Sequence, residues 1–126
     1  MLFSIIIPVF NKEEGIKKSI QSVLSQNLTD YEVIVINDGS TDSSMSIIES
    51  LADNRFRIIS QNNCGPSAAR NRGISEASGD YSIFLDADDE LLPGALTTIW
   101  NEIQRYQCYN VFCFNHMIEQ NSTLMA

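Results

Sequence analysis

Apolar and polar positions follow one another along this chain in blocks, and the length of each block points to a type of element. Residues 3–9 (FSIIIPV) form a continuous apolar run rich in β-branched side chains, the pattern of a strand covered on both faces. Pro8 falls near the end of that run, where a missing N–H costs least. Further on, Ile16, Ile20, Val23 and Leu24 recur at helical spacing and predict a helix with one apolar stripe. Asn11, with Glu14 three residues later, predicts a capping box at its start, and Gly15 weakens its first turn. The alternation then repeats. Residues 32–37 (EVIVIN) predict a second strand, and Thr41 or Asp42 caps a helix that turns Met45, Ile48, Leu51 and Ala52 inward. Residues 57–61 predict a short third strand. Pro66 opens a helix that carries Ala68, Ala69, Ile74 and Ala77 and is ended by Gly79. Residues 81–85 predict a fourth strand, Pro93 opens a helix with Leu96, Ile99, Trp100 and Ile103 inward, and 110–115 are a candidate fifth strand. Strands alternating with helices predict an α/β fold, a mainly parallel, Rossmann-like sheet flanked by helices.

In such sheets ligands bind beyond the carboxyl ends of the strands. Polar clusters stand at three of these predicted ends, at residues 8–11, 37–42 and 86–89. They are far apart in sequence, yet this topology brings them to one edge. The third cluster, Asp86-Ala87-Asp88-Asp89, comes directly after an apolar run. If strand geometry persists, Asp86 and Asp88 share a face about 7 Å apart. Two carboxylates that close repel each other unless something positive lies between them, and a hard divalent cation such as Mg²⁺ or Mn²⁺ suits aspartate oxygens. The competing reading is a solvated acidic turn in which Asp88 or Asp89 caps the next element. Asp38-Gly39-Ser40 carries the same ambiguity: Asp38 can accept from a nucleobase N–H or a ribose hydroxyl, or form an Asx turn that caps the second helix. Gly65-Pro66 opens a helix whose N–H groups favour an anion. Arg70 and Arg72 lie on different faces of that helix, so one at most aims at the crevice.

Composition narrows the choices. The chain has 126 residues, a one-domain length that buries roughly two-thirds of its unfolded surface. Hydrophobic residues make up 44% and charged residues 19%, so the chain is globular. A net charge of −8 argues against nucleic acid and anionic membranes as partners. Three cysteines, Cys64, Cys108 and Cys113, show no C-x-x-C spacing. They suit free thiols of a reducing cytoplasm, with the cytoplasmic face of the membrane as an alternative station. His116 is the sole histidine, so no histidine triad or cluster can be built, and it reads as structural. Residues 1–7 are apolar but short, with no basic segment before them, so they read as strand and not as a signal peptide or membrane span. Neither G-x-G-x-x-G nor G-x-x-x-x-G-K-[ST] occurs.

Four motifs in order, Ser4-Ile5-Ile6-Ile7-Pro8-Val9-Phe10-Asn11, Asn37-Asp38-Gly39-Ser40-Thr41-Asp42, Gly65-Pro66-Ser67-Ala68-Ala69-Arg70-Asn71-Arg72-Gly73 and Leu85-Asp86-Ala87-Asp88-Asp89, resemble those of the family-two, GT-A-type glycosyltransferases. The resemblance covers about residues 3–100. It implies that residues 1–126 are a nucleotide-sugar-binding domain with the donor, a UDP-sugar by preference, lying across the strand ends. Pro8, Phe10 and Asn11 then line the nucleotide pocket and Asp38 holds the base. Arg70, Asp86 and Ala87 also touch the nucleotide. Asp88, with Asp86, holds Mn²⁺ or Mg²⁺, Asp88 bridging metal to diphosphate and Asp86 lying nearer the ribose or a metal-bound water. Where the family commonly has Asp-Asp before the glycine, this chain has Asn37-Asp38, which leaves the base-binding aspartate in place.

Members of that family continue past this length. The resemblance therefore implies the donor-binding N-terminal half of a longer enzyme, with the general base beyond residue 126. Glu90, Glu102 and Glu119 lie outside any motif. The implied reaction is inverting, metal-dependent sugar transfer to a carbohydrate or lipid-linked acceptor, as in polysaccharide biosynthesis. A non-catalytic nucleotide-sugar-binding module is the alternative. A nucleotidyltransferase is a third reading, which wants a Gly-rich phosphate loop and a basic residue after the first strand, and Lys12 alone matches it poorly.

Overall fold

A computed structural model describes residues 1–106. The candidate strand at 110–115, with Cys108, Cys113, His116 and Glu119, lies outside the described residues. Four strands and four helices alternate: β1 (Phe3–Val9), α1 (Ile16–Leu24), β2 (Tyr31–Asn37), α2 (Ser44–Leu51), β3 (Phe56–Ser60), α3 (Pro66–Glu76), β4 (Tyr81–Phe84) and α4 (Ala95–Arg105). All pairings are parallel, in the order β3-β2-β1-β4, with Phe3 opposite both Tyr31 and Tyr81. The strand order reverses at β1, so the switch point lies between β1 and β4, where a crevice opens at the carboxyl ends.

β1 and β2 are central and almost wholly buried, which is why they read as unbroken apolar runs. One face of the sheet carries the larger core. There Phe3, Ile5, Ile7 and Val9 meet Ile16, Ile20 and Val23 of α1 and Leu96, Ile99 and Ile103 of α4. On the other face α3 packs on Ile34 and Ile36 through Ala69. A Cβ on Gly73 would lie 2.3 Å from the Cγ2 of Ile6, so the helix contacts the sheet through its smallest residues.

Several local expectations give way to tertiary contacts. Asn11 does not cap α1; the N-cap is Gly15. Asn11 sits at φ 52°, and its Oδ1 accepts from the N–H groups of Thr41 (2.8 Å) and Asp42 (3.3 Å) across the sheet edge. Ser43 is the N-cap of α2, while Asp42 Oδ1 accepts from the Ser44 N–H at 2.9 Å. Helix α3 ends at Glu76, before Gly79, and Gly79 is instead pressed onto β1, where a Cβ would meet the Phe3 backbone at 2.7 Å. Ile74 is half exposed, because Ala69 and Gly73 take the face against the sheet. Pro93 precedes α4 by two residues, and Gly94, with φ 76°, is its N-cap.

Candidate functional site

A cleft of about 490 Å³ lies at the carboxyl ends of the strands. The end of β1 contributes Pro8, Val9, Phe10 and Lys12, and the end of β2 contributes Asp38. The β3–α3 loop and the start of α3 add Asn63, Gly65, Pro66, Ala69 and Arg70, and the segment after β4 adds Asp86, Ala87 and Asp88. Residues from opposite ends of the described chain therefore meet because parallel strands end on one side. Among the sequence candidates, Asn11 is the one outside this lining, its side chain being spent on the β2–α2 loop.

Asp38 is buried and already engaged. Its Oδ1 accepts from the Gln61 side chain (3.0 Å) and the Cys64 N–H (2.8 Å), and its Oδ2 from the Gly65 N–H (3.0 Å). Burial alone raises its pKa; these three donors outweigh burial and hold the carboxyl below the usual aspartate range. Asp38 thus draws the 61–65 loop and the N-terminus of α3 against the cleft. Gly65, at φ 94°, adopts a backbone that a side chain resists, and this turn aims its N–H at Asp38. Ser40 N–H donates to Asn37 Oδ1 at 2.9 Å, so Asn37 closes the turn next to the aspartate.

The acidic segment is not extended. β4 stops at Phe84, and the Asp89 N–H donates to the Asp86 carbonyl at 3.0 Å, so residues 86–89 form a turn. Both carboxylates still line the cleft and stay about half exposed. Each has its own cation: Arg70 Nη2 lies 3.1 Å from Asp86 Oδ1, and Lys12 Nζ lies 3.5 Å from Asp88 Oδ2. The positive charge that the paired aspartates require is therefore supplied by the protein. Arg70, not Arg72, faces the crevice; Arg72 pairs with Glu76 one turn on.

Helix α1, with Gln26 two residues past its end, holds this turn and the segment after it with a polar rail that the sequence does not announce. The hydroxyl of buried Ser19 donates to the Ala87 carbonyl (2.9 Å) and to that of Asp89. Ser22 Oγ accepts from Leu91 N–H (2.9 Å), and Gln26 donates to the Leu92 carbonyl (2.8 Å) and accepts from Leu96 N–H (3.1 Å). Their partners are backbone groups, which leave no mark in residue type. Lys12 was detectable: like Asp38 and Asp86, it stands just past the end of a strand. Among the described residues no helix is long and apolar enough to cross a membrane.

An open parallel sheet with its cleft at the switch point, lined by aspartates and a helix N-terminus, is an α/β architecture that fits the GT-A-type expectation. The pattern of glycosyl transferase family 2 matches residues 4–126, and the chain belongs to that family. It is 40% identical over 118 residues to an uncharacterized Escherichia coli glycosyltransferase, YibD, covering 88% of this chain and 34% of that protein. It is also 40% identical over 100 residues to a Campylobacter jejuni GalNAc(5)-diNAcBac-PP-undecaprenol beta-1,3-glucosyltransferase, covering 76% and 32%. The S. aureus TarS 1–349 structure in complex with UDP-GlcNAc superposes with a TM-score of 0.79 at 29% identity, covering 85% of this chain and 32% of that one. The chain thus spans about a third of the length of these relatives.

Proposed function

We propose that this chain is the donor-binding part of a cytoplasmic glycosyltransferase that moves a hexosyl group from a UDP-sugar to a carbohydrate or lipid-linked acceptor, with inversion. The observation that carries it is the meeting of Asp38, Arg70, Asp86, Asp88 and Lys12 on one cleft at the switch point. The two related proteins named for sugar transfer and for UDP-GlcNAc support the donor class. Phe10 and Pro8 wall the nucleotide. Asp38 orders the opposite wall and offers its remaining lone-pair capacity to the base, three of about four sites being filled. The N-terminus of α3 and Arg70 face the diphosphate.

Asp86 and Asp88 are hard oxygen donors. Among the described residues no group of three or more His, Cys, Asp or Glu is placed to hold a metal. Mg²⁺ and Mn²⁺ sites that use substrate phosphates and water need just one or two protein carboxylates, so these residues fit such an ion. When bound, the ion supplies Lewis-acid neutralisation of the leaving diphosphate. The base that deprotonates the acceptor comes from outside the residues described.

Calorimetric titration of UDP with and without Mn²⁺ tests this. Wild type binds UDP more tightly with Mn²⁺. Asp88→Ala loses that increment, about tenfold or more, with an unchanged melting temperature. Equal affinity in the variant removes Asp88 from the metal site; no UDP binding by wild type removes the donor assignment.

A further inference from the structure

Three consecutive N–H groups after β1 are each fixed by the β2–α2 loop or the first residue of α2. Asn11 N–H donates to Ser40 Oγ (3.1 Å), Lys12 N–H to buried Ser44 Oγ (2.8 Å) and Glu13 N–H to Asp42 Oδ2 (3.2 Å). The loop answers in kind, Asn11 Oδ1 accepting from Thr41 N–H and Glu13 Oε2 from Ser43 N–H (3.1 Å). The flanking side chains are thus committed to the β2–α2 loop, while Lys12 reaches into the cleft. The backbone of Asp88 is seated on the same segment: a Cβ on Gly15 would lie 3.1 Å from the Asp88 Cα. Lys12 and Asp88 therefore face each other from two clamped supports.

The contact between them is nevertheless weak. At 3.5 Å, with side chains 43% and 56% exposed, it adds little to stability. A rigid presentation of a weak pair suits an exchangeable contact better than a structural one. A divalent cation arriving alone at Asp88 meets the ammonium already there. Arriving with a diphosphate, it brings acceptors to which that ammonium can turn, and lysine is a point charge on a flexible stem that can make the turn.

We propose that Lys12 is the resident counter-cation of Asp88 and passes to the diphosphate oxygens when a divalent cation takes that carboxylate, so that metal and nucleotide bind cooperatively through it. The proposal rests on the donor assignment above. Linkage makes the coupling reciprocal: UDP tightens Mn²⁺ by the factor by which Mn²⁺ tightens UDP.

The test is Mn²⁺ titration of the full chain, monitored by electron paramagnetic resonance, alone and with saturating UDP, for wild type, Lys12→Met and Lys12→Arg. Wild type binds Mn²⁺ weakly alone and tightly with UDP. In Lys12→Met, Mn²⁺ alone binds about three- to fivefold tighter at low salt, the scale of an exposed ion pair. UDP with Mn²⁺ binds that variant about tenfold weaker, the scale of a charge-assisted contact. Lys12→Arg retains the coupling. A purely structural role predicts that both affinities fall together in Lys12→Met, and that result overturns the proposal, as does full coupling in that variant. Wild type that binds no UDP with Mn²⁺ overturns the donor assignment and this proposal with it; wild type that does, beside an unaltered Lys12→Met, overturns Lys12 alone.

Discussion

A carboxylate that accepts three hydrogen bonds before any ligand arrives shapes the protein as well as the ligand. Asp38 is in that position, and its two possible roles, turn-former and base-holder, are both open to it because a carboxylate has two oxygens. Its turn, however, is made with the 61–65 loop and not with α2. Asp38→Asn replaces an acceptor oxygen with an NH₂ that confronts an N–H donor, so we expect a loss of about 1–3 kcal/mol. The pH dependence has a definite sign. The folded carboxyl titrates below its ordinary value of 3.8, so the unfolded chain takes up the proton first as pH falls. The stability Asp38 contributes is present above that ordinary value and is lost as pH drops towards the folded one. Urea melts of wild type and Asp38→Asn therefore differ fully at neutral pH and converge below about pH 4. A gap independent of pH would show that the charge is not what the loop holds.

Among elements, α3 shows how a helix can be predicted in place while its packed face stays open. Pro66 and the run of small residues locate it, but Ala68, Ala69, Ile74 and Ala77 do not say which side meets the sheet. Ala69 and Gly73 win because close approach to Ile6 and Ile36 leaves no room for more. Gly73→Ala gains helix propensity, worth about 1 kcal/mol. It also places a methyl 2.3 Å from a fully buried isoleucine that has nowhere to move. Overpacking of this kind costs about 1–3 kcal/mol, so the net effect is destabilising. Because α3 also carries Arg70 and the N-terminus at the cleft, a helix pushed outward weakens UDP binding too. A calorimetric scan paired with a UDP titration checks both, and a more stable variant would mean that the helix slides without cost. Helix α1 offers the complementary case. Its apolar stripe was plain at 16, 20, 23 and 24, whereas Ser19, Ser22 and Gln26 read as ordinary polar positions. Their partners lie some 70 residues away and are carbonyls and N–H groups, to which any residue type contributes alike.

For the whole molecule, the alternation of runs was enough to place every described strand and helix to within a few residues, most plainly β1 and β2, whose burial on both faces shows in their composition. The same topology predicted that three polar clusters share an edge. It was silent on the opposite edge, where a second set of charges does different work. There Glu32, buried on β2, accepts from Ser4 Oγ and Ser78 N–H, both at 2.6 Å, with Arg57 3.6 Å away. Burial raises its pKa, yet these partners together hold it below the usual range. It lies outside the lining of the strand-end cleft. Glu32→Gln keeps the shape but sets an NH₂ against a donor, at an expected cost of about 2 kcal/mol in a urea melt. Sites this far apart act independently, so UDP affinity with Mn²⁺ stays within about twofold of wild type. Lys12→Met does the reverse, altering binding while leaving the melt alone. If Glu32→Gln weakened UDP in step with stability, the cleft would depend on the packing of the whole sheet, and the division of labour between its two ends would not hold.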